Sequence, residues 1–388
     1  MKRARFGRRS GLPREAEELI WLASGRAESG SRTEDVFWES RLAQSIDNLL
    51  HEGAEDTLNA ALDHLYALPR GYDELADILE ARAETGTTEG DGPQVLLIAA
   101  PILAWSRFSI PSSTIPAALL ANLRVHLAAH VLAGDVSFAL ANVLFSPDQL
   151  PQGYCETARF AADLGAAAAK GTDLTINTAD LPETSRFLSD VRYLLAAVVV
   201  KPGGAVFRWQ EADCTREQAS RQWASQGGAA LSTLLAGCAT ELVLPDAYFA
   251  ASREADRASR PYSIRASVAF LATTLDVPPS GLRAVVAPFY ENQLEEFRIG
   301  FTTAQDDSVV HGVVWPLIGA EDDRSEIASQ IEAALRECGV TNIVQLDSRF
   351  PMEYCDDCGA PMYPTADGET AHAELPEDMA EQVPRHLH

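Results

Sequence analysis

The chain has 388 residues, 46% of them hydrophobic and 22% charged, with a formal net charge of −25. That apolar content suffices for real cores and excludes wholesale disorder, and the length suits two or three domains rather than one. The acidic balance excludes general nucleic-acid binding, because such a surface repels the phosphate backbone.

Residues 1–14, MKRARFGRRSGLPR, gather Lys2, Arg3, Arg5, Arg8, Arg9 and Arg14 without one acid. They read as a flexible, solvated basic arm; the sharper reading is a tether to RNA or an anionic surface. Arg8-Arg9 is followed by no apolar signal region, and no run of about twenty apolar residues occurs, so no membrane span and a cytoplasmic location are expected. Six cysteines in a chain of this length make no disulfide framework. Cys155, Cys214, Cys238 and Cys338 read as small buried side chains.

Residues 15–85 predict a small helical bundle. Apolar residues recur at helical spacing through Leu19, Ile20, Leu22 and again through Phe37, Trp38, Leu42, Ile46, Leu49, Leu50. Ser31 three before Glu34 is a capping-box start. Shorter helices follow at 54–67 and 71–84. The stretch ETGTTEGDGP has no periodicity and places a linker over 86–93.

Beyond it, strand-length apolar runs (95–105, 136–145, 193–200, 240–249) alternate with helices (113–133, 154–170 and one after 214), an α+β or α/β pattern. The order then echoes itself. Ala104-Trp-Ser106-Arg107 matches Ala250-Ala-Ser252-Arg253, Phe145 to Leu150 matches Phe289 to Leu294, and Thr240 to Asp246 matches Thr341 to Asp347. The expectation is two tandem ferredoxin-like βαββαβ modules, over 94–247 (with a helical insertion at 151–190) and 240–350. A hairpin at 351–375 and an acidic tail at 376–388 complete the chain.

The chemistry concentrates in YCDDCGAPMYPTADGETAH, residues 354–372. A redox pair at Cys355 and Cys358 is disfavoured: from Glu353 to Glu381 inclusive the chain carries nine acids and no Lys or Arg, and negative neighbours raise a thiol pKa. A metal site fits better. C-x-x-C-G is a knuckle whose turn aims amides at the sulfurs, and the following segment reads as a hairpin turning at Ala366-Asp367-Gly368, with Tyr363 and Thr370 on its arms. This resembles half a zinc ribbon, lacking the second C-x-x-C. His372 is the preferred third ligand for Zn²⁺; His386, His388, Cys338 or a second chain would supply the rest. A degenerate ribbon that keeps its shape without metal is the alternative. With four protein ligands the ion's role is structural.

The segments WLASGRAESGSRTEDVFWESRL and YCDDCGAPMYP…DGE…HAELPED, with the α/β middle between them, resemble an uncharacterised bacterial family of unknown function. The resemblance covers nearly the whole chain and implies no activity.

Other candidates are weaker. His126 and His130 share a helix face but lack the Glu of H-E-x-x-H. Lys201, one of three lysines, follows a strand at a KPGG turn. Asp148, Gln149, Asn292 and Gln293 fall at matching strand ends, where α/β folds bind ligands. Nucleotide, dinucleotide and hydrolase signatures are absent. The reading is a non-catalytic protein whose zinc-ribbon-like tail serves folding or docking of a protein partner. The alternative is an enzyme of unfamiliar type, with its site in the cleft between the modules.

Overall fold

The computed structural model describes residues 11–68, 70–86, 93–106, 109–184, 188–212, 214–303, 307–322 and 324–375. The basic arm up to residue 10, most of the linker (87–92) and the acidic tail with His386 and His388 lie outside the described residues.

The helical region forms α1 (Arg14–Ala27), α2 (Arg32–Glu52), α3 (Glu55–Tyr66) and α4 (Tyr72–Glu84). The Ser31 hydroxyl accepts from the Glu34 amide and the Glu34 carboxylate accepts from the Gly30 amide, so α2 starts where the capping pattern put it. Leu19, Leu22, Leu42, Ile46, Leu58 and Leu65 close the bundle core. That core continues into Cys155, which belongs to the next region.

The first sheet comprises β1 (Gln94–Trp105), β2 (Ser113–Thr114), β3 (Ser137–Phe145), β4 (Ser189–Val200), β5 (Ala239–Leu242) and β6 (Asp246–Ala247). Its order is β2-β3-β4-β1-β5, with β6 also on β1, and every pairing is antiparallel. Strand β1 is buried on both faces, which is why its sequence is a continuous apolar run rather than an alternating one. Its parity still divides the two faces. Ile98, Ala100, Ile102 and Ala104 face α5 (Ala117–His130), with the segment α7 (Arg216–Gln222) to α8 (Gly228–Leu231) on the same side. Val95, Leu97, Ala99 and Leu103 face α6 (Tyr154–Ala169) and the first half of α9 (Tyr248–Thr274).

Neither α6 nor α9 caps its own N-terminus with a side chain. The bundle does so instead. Glu55 accepts from the Tyr154 and Cys155 amides at 2.9 and 2.8 Å, and Glu84 accepts from the Phe249 amide at 3.1 Å. Carboxylates at helix N-termini meet both the orphan amides and the positive end of the dipole.

The second sheet holds β7 (Leu282–Tyr290), β8 (Leu294–Thr303), β9 (His311–Pro316), β10 (Asn342–Gln345) and β11 (Phe350–Pro351), ordered β10-β7-β8-β9 with β11 on β7. The second half of α9 and α10 (Ile327–Glu337) cover one face through Ile264, Val268, Leu271, Ile331 and Leu335. The short hairpin β12 (Tyr363–Pro364) and β13 (Thr370–Ala371) covers part of the other.

The two sheets do not repeat one order. The strand expected to open a second module joins the first sheet: β5 and β6 pair with β1, whose second edge would otherwise stay open. Pro245 separates them, and the chain turns helical at Tyr248 rather than remaining a strand to 249. Ala250-Ala-Ser252-Arg253 accordingly lies inside α9, whereas Ala104-Trp ends β1, so those two stretches are not equivalent in space. The second sheet instead gains the extra strand β9 and takes β10 parallel to β7.

Candidate metal centre

The end of the described chain turns tightly at the thiol pair. The Cys355 amide donates to the Ala360 carbonyl at 2.7 Å, and the Gly359 amide donates to the Cys355 carbonyl at 2.8 Å. Gly359 has φ of 73°, a left-handed conformation that a side chain would strain. Backbone amides of Cys358 and Asp357 face the Cys355 sulfur and, with a contact from the Cys358 thiol, hold its pKa below the ordinary thiol value. The acidic neighbours were expected to raise it. Asp357 does push upward, but the directed amides outweigh a solvated charge.

His372 sits on the outgoing arm of the hairpin, after β13. Its Nε2 lies 3.3 Å from the Cys358 sulfur. One ligand atom from each of Cys355, Cys358 and His372 falls within 4.8 Å of the others. Tetrahedral zinc with thiolate and imidazole ligands spaces them by about 3.5–3.8 Å, so the trio is nearly at coordinating distance. On its other side, His372 Nδ1 lies 3.3 Å from the Glu374 carboxylate. A carboxylate on the far nitrogen fixes the ring and its tautomer and leaves Nε2 for a cation.

The second sheet holds this unit through one buried cation. Arg298 of β8 is fully buried and donates to the carbonyls of Glu353 and Met362, at 2.6 and 2.8 Å, on the two sides of the knuckle. Its Nε donates to Glu296 at 2.6 Å, and its guanidinium lies over Phe289 and Tyr354. The hairpin rests on Gly300 and Gly312, which face each other across β8 and β9. A Cβ at Gly312 would sit 2.2 Å from the Tyr363 ring, and one at Gly300 would sit 2.4 Å from the Pro364 carbonyl. Only glycine admits that approach. Arg298 and the two glycines carry no motif signal; an arginine set between Phe297 and Ile299 is the available hint.

The other sequence candidates are not drawn to this centre. Gln149 secures a loop: it accepts from the Ser146 amide at 3.1 Å, donates to the Pro182 carbonyl at 3.0 Å and contacts the Ser112 hydroxyl. Asp148 shares that turn after β3, whereas Asn292 and Gln293 are exposed in the β7–β8 turn. Neither pair lines the cavity between the sheets. His126 and His130 stack 6.0 Å apart, His130 meets Gln226, and no third ligand joins them among the described residues. The Lys201 side chain is 80% exposed, 3.9 Å from Asp135. Cys155 is buried, whereas Cys214, Cys238 and Cys338 are half-buried. Cys338 packs against the core of the second sheet and is not among the clustered ligands.

A family described as "Protein of unknown function (DUF2863)" matches residues 4–386. The chain belongs to this family. Comparison with curated proteins and with solved structures returns no match. The DUF2863 chain thus carries a Cys/His group able to hold a metal ion, and among its described residues no helix is long and apolar enough to cross a membrane.

Proposed function

We propose that this is a cytoplasmic, non-catalytic protein in which Cys355, Cys358 and His372 bind Zn²⁺ and the ion locks a zinc-ribbon-like hairpin onto the second sheet. The observation that carries the reading is the convergence of two sulfurs and Nε2 within 4.8 Å, with Glu374 behind the imidazole. The element itself is small: the cluster that packs it on the sheet comprises Val309, Tyr363 and Ala373, with Val314 and Ala371 partly buried. A hairpin with so little core commonly needs a metal or another cross-link. The first sheet supports a ferredoxin-like module, since β5-β1-β4-β3 is the order 4-1-3-2 with α6 inserted.

For docking, the bundle offers an exposed aromatic group. Trp21 is 58% and Phe37 49% exposed, and both rings pack edge-on against Trp38. Contiguous exposed aromatics favour a protein partner. Elemental analysis of purified protein tests the metal reading. About one zinc per chain is expected, lost in a Cys355→Ser/Cys358→Ser variant; near-zero zinc in both proteins would refute it.

A further inference from the structure

Cys358 belongs to two features at once. It is a ligand candidate, and it lines a cavity of about 450 Å³ between the two sheets. The opposite wall is the end of the first sheet, where Trp105 of β1 pairs with Ser189 of β4. Ser263 and Ser267 of α9 and His311 of β9 supply the polar floor. Ser189 and Ser263 hydroxyls lie 2.9 Å apart, and His311 Nε2 lies 2.9 Å from the Ser267 hydroxyl. Leu188, Val313 and Pro361 make apolar lining. A volume of this size falls in the range of small-molecule sites.

Two facts select the ligand. Among the described residues no Lys, Arg, Asp or Glu lines the cavity, so no described side chain of its wall carries a fixed charge to balance that of a ligand. The knuckle nearby is acidic, with Asp356, Asp357 and Glu374, which disfavours an anion. On the metal reading above, three protein ligands around a tetrahedral ion leave one position open, the arrangement of sites that admit an outside ligand. We propose that the cavity takes a small uncharged molecule with a flat apolar body and one donor nitrogen, and that this nitrogen fills the open position. The ion then does more than hold the hairpin: it makes one wall of a binding site that neither sheet forms alone.

Cobalt(II)-loaded full-length protein tests this with two probes, imidazole and 4-phenylimidazole, read by the visible ligand-field bands. Thiolate-to-cobalt charge-transfer absorption reports the metal site itself. The expected result is a saturable band shift with both probes, with 4-phenylimidazole about tenfold tighter because its ring leaves water for the cavity. Ser263→Phe from α9, or Ser189→Phe from β4, should abolish that tenfold preference while leaving imidazole binding and the charge-transfer band in place. Absent charge-transfer absorption would refute the metal reading and this proposal with it. Cobalt bound with bands that neither probe moves would mean that the fourth position is filled by the protein, and would overturn this proposal alone. So would equal affinity for the two probes, or a preference that survives both wall substitutions.

Discussion

The two sheets solve one problem differently. The first has an all-antiparallel order and helices on both faces, with apolar cores on each side of β1. The second has helices on one face only; on the other, a hairpin is held by a buried arginine, a glycine pair and, on our reading, an ion. Area burial stabilises the first cover. Directed polar contacts stabilise the second, and such contacts are costly when half removed. The lesson is that the second cover should fail by single substitutions that leave the first intact.

The largest effect is expected from Arg298→Met. It strips donors from the Glu353 and Met362 carbonyls and leaves Glu296 without its partner. A loss of about 3–5 kcal/mol in the second sheet is expected from breaking a buried pair. Limited proteolysis should then cut between residues 350 and 375 while the bundle and first sheet stay protected. Uniform loss of protection along the chain would break the contrast between the two sheets.

Next comes Gly312→Ala. The added methyl collides with the Tyr363 ring, which must move from its buried seat. Overpacking of this kind costs about 1–3 kcal/mol. Thermal melting should register it, together with weaker retention of zinc against a chelator. An unchanged melt would show that the hairpin does not press on the glycine pair.

A smaller effect tests the first sheet's side. Glu84 caps α9 from the bundle, and burial raises its pKa from 4.5 to about 7 despite the hydrogen bond from the Phe249 amide. The folded state therefore keeps a proton that the unfolded chain releases near pH 4.5. Stability should fall as pH rises from about 4.5 to 7 and then level off. Glu84→Gln should remove that slope and add on the order of 2 kcal/mol at pH 8, where the wild type buries a charge. Denaturant unfolding at pH 5 and pH 8 measures both numbers. A wild type without the slope would mean that the carboxyl titrates normally and that the bundle sits more loosely on α9.

Much of the local structure was legible beforehand. Helical spacing located α2 and the Ser31 cap, and unbroken apolar runs located β1, β3 and β4, because burial periodicity is written residue by residue. The thiol knuckle, its hairpin and His372 were legible for the same reason, since fourteen residues of local chain bring them together. The pairing of β5 and β6 with β1 was not legible. Nor were Arg298 beneath the knuckle, Gly300 and Gly312 beneath Tyr363, or the caps that Glu55 and Glu84 lend to distant helices. A strand's own residues do not say which open edge it will complete, and a buried guanidinium shows its value only once the carbonyls around it are in place. Sequence by itself determined the elements and the Cys/His loop that could hold a metal ion, because both depend on neighbours along the chain. Tertiary structure alone decided which sheet each strand joined and what lies opposite the sulfurs, because those depend on surfaces that come together only when the chain has packed.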